Sequence, residues 1–185
     1  MKQLSRLFCS LVLVAVIGLL GACSTLHVGR APTLEAGATW AILPFVNQTE
    51  TPQAGLRAES IAESLLRVDG ISKLRRYPTA LNTETLFEPM DRKQFDAALA
   101  WARSENIRYA LAGSVDEWRY KVGIDGEPAV GVTLKVIDLS NERVVWSASG
   151  AKSGWSRDAL SAVAQTLLTD LLASLPLSAD PVSAK

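Results

Sequence analysis

The stretch from Tyr109 to Gly150 constrains the fold most, because it contains three successive runs that alternate apolar residues with polar or small ones. In the middle run the apolar residues recur at every second position, which places them on one face of an extended chain: Val130, Val132, Leu134 and Val136. Turn-forming residues fill the two joints, 122–128 and 138–142. The pattern predicts a three-stranded antiparallel meander whose first turn is rich in Gly, Asp and Glu.

The first 22 residues are typical of an export signal. Lys2 and Arg6 precede an almost wholly apolar run of about 14 residues, which is shorter than the roughly 20 that a membrane-spanning helix needs. The run ends in Leu20-Gly21-Ala22-Cys23, which resembles the bacterial lipobox. That resemblance implies that Cys23 receives the lipid and becomes the N-terminus. The alternative is an ordinary secretory signal with a cysteine nearby by chance.

The lipobox resemblance also implies where the mature protein goes. Ser24, directly after the lipidated cysteine, implies sorting to the outer membrane.

The length, charge and cysteine content of the mature chain limit the kinds of protein it can be. Counted from Cys23, 163 residues remain, enough for a single domain. Without Lys2 and Arg6, 17 basic residues face 19 acidic ones, a formal charge of −2, so no nucleic-acid partner is expected. The other cysteine, Cys9, lies in the signal, so no disulfide is expected.

Of three segments before the meander, two have clear patterns of apolar residues and one has little periodicity. Residues 23–38 show little periodicity and are interpreted as a lipidated tether that carries the only histidine, His27. The apolar run Thr39–Val46 predicts a strand buried on both faces, with Pro44 disturbing its end. Ala54–Val68 predicts an amphipathic helix with Glu59 on or beside its polar side.

The next elements are a strand and two further helices. Ile71–Tyr77 predicts a strand whose basic residues suit an exposed sheet edge or, alternatively, a basic binding patch: Lys73, Arg75 and Arg76. Asp91 is a predicted cap for the second helix. Ser156 is a predicted N-cap for the third helix, which has a broad leucine face and ends at Pro176.

The predicted order is therefore β-α-β-α-β-β-β-α. Helix crossovers return the chain to parallel neighbours, whereas the meander makes antiparallel ones, so we expect a mixed β-sheet. Helices packed on that sheet give an α/β (α+β) fold. The domain is predicted to span 39–176, between the tether and a disordered tail at 177–185.

Catalytic motifs are missing from the sequence of the predicted domain. Outside the tether the mature chain has no His or Cys, and the close acidic pairs, Asp116-Glu117 and Asp125/Glu127, lack metal-loop spacing. There is no phosphate-binding glycine loop and no nucleophile elbow. We therefore expect that the protein is not an enzyme and that it has no metal site and no cofactor. Glycosidase chemistry with two carboxylates stays open, because two acids can meet from anywhere in a fold.

Several segments together resemble the PelC family, the outer-membrane lipoproteins of Pel exopolysaccharide export. They are the lipobox, the strand AILPF, and the segments EWRYKVGIDGEPAVG, WSASGAKSGW and SRDALSAVAQTLL. The resemblance implies a domain like the N-terminal domain of TolB. It also implies a dodecameric ring on the periplasmic face of the outer membrane, acting as a funnel beneath a PelB-like porin.

The resemblance also implies roles for individual residues. Asp125 would face the ring lumen, and Trp155 would face the membrane. Glu127 shares the turn of Asp125, and repeated acids in a narrow opening attract cations, so we expect both to guide a cationic exopolysaccharide. The plainer alternatives are solvated turn residues for the acids and packing against the last helix for Trp155.

Two other lipoprotein functions remain open. An LpoB-like activator of a peptidoglycan synthase would need a tether that crosses the periplasm, whereas 24–38 extends to roughly 50 Å at most. A CsgG-like secretion component would need additional hairpins to enter the bilayer. Once the predicted strands are assigned, the sequence has no spare segment of that kind.

Overall fold

The computed structural model describes residues 24–29, 31–78, 92–123 and 126–178. The strands are β1 (Ser24–Val28), β2 (Leu34–Glu35), β3 (Trp40–Ile42), β4 (Val46–Asn47), β5 (Leu74–Arg76), β6 (Tyr109–Tyr120), β7 (Pro128–Asp138), β8 (Arg143–Ser153) and β9 (Leu177–Ser178). The helices are α1 (Ala54–Val68), α2 (Arg92–Ser104) and α3 (Leu160–Leu172).

The central sheet is mixed, as the sequence predicts. Its strands lie in the order β1-β8-β7-β6-β3-β5, and β4 also pairs with β6. The strand β3 runs parallel to both β5 and β6, whereas β6, β7, β8 and β1 are successively antiparallel. The predicted meander is therefore confirmed as β6-β7-β8, and the basic strand β5 lies at a sheet edge, as one of its two interpretations predicts.

Helices cover the two faces of this sheet unequally. On one face α1 and α3 pack over the main core. The buried stripe of α1 consists of residues four apart, and its alanines allow close approach to the sheet: Ala54, Ala58, Ala62 and Leu66. On the other face α2 covers β3 and the start of β6, through Ala98 and Ala102, and it reaches β7 where the Lys135 ammonium lies 4.8 Å from the centre of the Phe95 ring. On that face no described helix covers the part of β7 from Pro128 to Thr133, or β8 and β1.

The interpretation of 23–38 as a tether is wrong for its described part. The strand β1 pairs with β8, from Ser24 opposite Lys152 to Val28 opposite Ala148. Leu34 is buried and pairs with Leu177, so 177–178 belongs to the fold and not to a tail. All five β1 side chains are exposed. The strand is held by backbone pairing, and its hydrophobic alternation is limited to Leu26 and Val28 on either side of His27, which is too short to predict a strand.

Two further boundaries differ from the prediction. The buried run 39–46 divides into β3 and β4 around Pro44, which is the irregularity expected of proline. The third helix begins at Leu160, and Ala159 is its N-cap, so the cap predicted at Ser156 is wrong. The carboxylate of Asp158 accepts the backbone N–H of Trp155 at 2.8 Å, which closes a turn before the helix.

Glu59 does not lie on a solvated face of α1 but is 3% exposed. Its carboxylate accepts the backbone N–H of Phe45 at 2.9 Å and lies 2.8 Å from Nη2 of Arg76. Burial raises the pKa of Glu59, and the hydrogen bonds from Phe45 and Arg76 only partly offset that rise. Arg76 of β5 is thus an internal ion-pair partner and not part of a free basic patch.

Candidate functional site

The predicted site residues divide between described and undescribed parts of the chain. Cys23 and Asp125 lie outside the described residues, whereas Glu127 and Trp155 lie within them. Ser24, which follows Cys23, is paired with Lys152 at the end of β8, three residues before Trp155. The β1–β8 register therefore places Ser24 at the end of the sheet where Trp155 lies.

Trp155 projects from a tight turn between β8 and α3 and is 62% exposed. Its N–H donates to the Asp158 carboxylate, and its carbonyl accepts the Asp158 backbone N–H at 2.9 Å. Gly154 is required beside it, because a Cβ there would come within 2.6 Å of the Val163 side chain and 3.0 Å of Pro128. The turn is packed on the fold while the indole remains in solvent.

The β6–β7 hairpin ends next to this turn. The backbone N–H of Lys121 donates to the Glu127 carbonyl at 2.7 Å, and Gly154 donates to the Pro128 carbonyl at 2.9 Å. The Lys121 ammonium lies 3.7 Å from the Glu127 carboxylate and 2.7 Å from the Ser153 hydroxyl. Glu127 therefore has a nearby cation, Lys121, which the sequence prediction of repeated acids in this turn did not include.

Sequence reasoning also missed two exposed apolar residues of this hairpin. Val122 is fully exposed and Tyr120 is half exposed. The Tyr120 hydroxyl accepts the Leu160 backbone N–H at 3.1 Å, so it satisfies a donor at the start of α3 that no N-cap side chain serves. The sequence signal that could have identified Val122 is an apolar residue in a turn otherwise rich in glycine and acidic residues.

Two cationic residues lie close to Trp155 in the sequence, Lys152 and Arg157, and they differ in how freely they could meet a ligand or lipid. Lys152 points toward α3, where its ammonium lies 3.3 Å from the Asp170 carboxylate. Arg157 is exposed in the turn. The described helices include none that is long and apolar enough to cross a membrane. Among the described residues no group of three or more His, Cys, Asp or Glu could hold a metal ion.

Comparison with solved structures defines first the class and then the family. Lipoprotein GNA1162 from Neisseria meningitidis has the same fold, with a TM-score of 0.53 over 72% of this chain and 94% of that one, at 15% identity. The molecule is thus a helix-packed α+β domain of a class that includes this lipoprotein. A PelC dodecamer from Paraburkholderia phytofirmans is 44% identical, with a TM-score of 0.72 over 85% of this chain and 100% of that one.

A variant PelC dodecamer from the same species is 45% identical, with a TM-score of 0.73 over 84% of this chain and 100% of that one. The chain belongs to the PelC family, as the sequence resemblance predicts. No protein-family model matches the chain, and no curated protein is similar to it.

Proposed function

We propose that this protein is a non-enzymatic outer-membrane lipoprotein of Pel polysaccharide export. It assembles as a periplasmic ring, a dodecamer by analogy with its relatives, and guides a cationic exopolysaccharide toward a PelB-like porin for biofilm matrix formation. The observation that carries the proposal is the 44% identity with a PelC dodecamer over the whole length of that chain.

The proposed lumen lies at the β6–β7 turn, where Asp125 and Glu127 recur once in every subunit. A closed ring concentrates such charges in one opening, so individually weak contacts act together along the polymer path. Lys121 reduces the field of Glu127, because their side chains are 3.7 Å apart. We therefore assign Asp125 the larger share of polymer guidance.

The proposed membrane face is the end that carries Trp155. An exposed indole suits the membrane interface because it is apolar with one polar group. Val122 lies at the same end and adds apolar surface, and Arg157 can meet anionic head groups. The β1–β8 pairing would hold a lipid on Cys23 close to this end. One acyl chain binds reversibly, but the many chains of a ring anchor firmly.

The two alternative lipoprotein functions receive less support. An LpoB-like activator needs a long reach, whereas Ser24 is already paired within the sheet. A CsgG-like component needs strands free to enter a bilayer, whereas the described strands of more than ten residues, β6, β7 and β8, are all paired in the central sheet, with β7 between the other two.

Trp155→Ala, combined with Cys23→Ala so that acyl chains do not mask the effect, is expected to weaken membrane association below that of Cys23→Ala alone, while changing the free energy of unfolding by less than about 0.5 kcal/mol, the range for exposed substitutions. The physical reason is that Trp155 is mostly exposed to solvent and is not part of the buried core. Vesicle flotation measures the first effect and urea unfolding the second, with Cys23→Ala as the control for lost anchoring. Unchanged flotation after the Trp155→Ala substitution would contradict the assignment of Trp155 to the membrane face.

Asp125→Lys is expected to depress polysaccharide secretion far more than Asp125→Asn, because it reverses one lumen charge in every subunit. Each exposed contact is worth about 0–1 kcal/mol, but a ring repeats it. Secreted polymer is measured by lectin staining of culture supernatant. Asp96→Lys is the matched control, since Asp96 is exposed on α2. Wild-type secretion by Asp125→Lys, or equal harm from Asp96→Lys, counts against the proposed function.

A further inference from the structure

The uncovered face of the sheet contains a groove of about 920 Å³. Two polar rows cross the strands there, set by the pairing registers. One row is Ser114, Thr133, Ser149 and His27, and the next is Glu117, Gly131, Ala151 and Thr25. Gly131 and Ala151 leave the centre of the second row without bulky side chains, so the groove has a small-residue floor between polar groups.

A β-bulge makes this groove acidic. Val115 pairs with Val132 and Glu117 pairs with Gly131, so Asp116 is an extra residue in β6. In a regular strand Asp116 and Glu117 would point to opposite faces, but both line the groove. The Asp116 carboxylate accepts the Ser114 hydroxyl at 2.9 Å and the Thr133 hydroxyl at 3.0 Å, which fixes its orientation.

The loop between β4 and α1 borders the groove beside the bulge, where the Gln48 backbone N–H donates to the Val115 carbonyl at 2.9 Å. Asn47 holds this loop through its side chain, which donates to the Thr51 carbonyl at 2.9 Å and accepts the Thr49 N–H at 3.1 Å. The Thr51 hydroxyl donates to the Trp118 carbonyl of β6. The loop is thus tied to the strand that carries the bulge, and it brings the exposed carboxylate of Glu50 to the groove.

The charges in the groove do not balance. Glu117 pairs with Arg119 at 2.9 Å, whereas neither Asp116 nor Glu50 has an ion-pair partner among the described residues. Two carboxylates are therefore in excess, next to a set of hydroxyl groups. A ligand that complements this surface carries positive charge and many hydroxyl groups of its own.

We infer that the groove binds a hydroxylated, cationic saccharide, namely a short stretch of amino sugar with free amines. A volume of about 920 Å³ is at the upper end of the usual range for ligand sites, roughly 300–1,000 Å³, and leaves room for more than one sugar ring. Asp116 and Glu50 would meet the ammonium groups, and the threonine and serine hydroxyls would bond the ring hydroxyls. This inference rests on the proposed function and gives each subunit a saccharide contact separate from the turn of Asp125.

The competing occupant is a second copy of the chain, because the relatives are dodecamers. Charge favours the saccharide: the central part of protein interfaces is depleted of charged residues, whereas the groove holds excess carboxylates. The test must therefore measure ring assembly together with saccharide binding.

The test titrates full-length protein in detergent with glucosamine oligomers and with N-acetylated oligomers of the same length, by calorimetry. The free-amine oligomer is expected to bind more tightly, with affinity falling as salt rises. Asp116→Asn should weaken its binding about 3- to 10-fold, the scale of one lost charge-assisted hydrogen bond. Ala151→Tyr should weaken binding of both oligomers by filling the floor. Asp69→Asn, exposed at the end of α1 on the opposite face, should have no effect.

Mass photometry of each variant separates the outcomes. Intact rings with weakened binding in both groove variants support the inference. It is overturned by equal affinity for the two oligomers, by no binding to wild type, by wild-type binding in either groove variant, or by loss of the ring in those variants, which would make the groove a subunit interface. The proposed export function is tested separately by secretion from Asp125→Lys cells, so either proposal can fail while the other stands.

Discussion

Arg76→Met is expected to lower the free energy of unfolding by about 3 kcal/mol at neutral pH, because it leaves a buried carboxylate without its cation. The partner is Glu59, only 3% exposed and 2.8 Å from the guanidinium. Methionine keeps much of the aliphatic length of arginine, so the loss reports mainly on the charge. Arg57→Met is the matched control, since Arg57 is exposed on the same helix.

The loss should depend on pH in a defined direction. The pKa of Glu59 is already raised in the folded protein above its ordinary 4.5, so folding favours the protonated acid. The stability from this group is present below 4.5 and is lost as pH rises through the folded pKa. Removing Arg76 raises that pKa further, so the variant and wild type should differ little in acid and most at neutral pH.

Urea unfolding of both proteins at several pH values measures this difference directly. The comparison between variant and wild type cancels the titration of carboxylates that do not contact Arg76; besides Glu59, only the partly exposed Glu63 carboxylate lies within 4 Å of its guanidinium among the described ion pairs, at 3.8 Å. A difference that stays constant from acid to neutral pH would show that Arg76 acts through packing and not through the charge of Glu59.

Gly55→Ala is expected to destabilise the protein by about 2–3 kcal/mol, the scale of overpacking a core. A Cβ at this position would come within 2.4 Å of the Phe45 carbonyl oxygen, which is backbone and cannot rotate away. The sign is informative, because the same substitution in a freely exposed helix interior stabilises by about 1 kcal/mol.

Ser64→Ala tests that contrast within the same helix, since Ser64 is exposed. It should be neutral or slightly stabilising, because alanine has the higher helix propensity. Thermal or urea unfolding of the two variants provides the measurement. If Gly55→Ala were as stable as Ser64→Ala, then α1 would not be in close contact with Phe45. The inference that Gly55 and Glu59 together hold this helix against the Phe45 backbone would then be wrong.

The sequence by itself determined the elements whose residues repeat with a period. The alternation around Val130 to Val136 specifies β7, because one side of that strand must be buried and a one-residue slip would expose it. The three- and four-residue spacing of Ala58, Ile61, Ala62, Leu65 and Val68 likewise predicts α1 with the bounds observed, Ala54–Val68, although Val68 itself is exposed. Family membership was also readable, since motifs along most of the mature chain resemble PelC and the solved relatives confirm it.

Only the tertiary structure decided the features that depend on a distant partner. Backbone pairing with β8 makes β1 a strand, although its exposed side chains alternate only over Leu26, His27 and Val28. Arg76 and Phe45 allow Glu59 to be buried, although a glutamate on a helix is typical of a solvated face. The bulge at Asp116 depends on register against β7, and it decides that two neighbouring acids share one face. Such features depend on hydrogen bonds and charges between segments far apart in the chain, and local residue patterns carry no information about those partners.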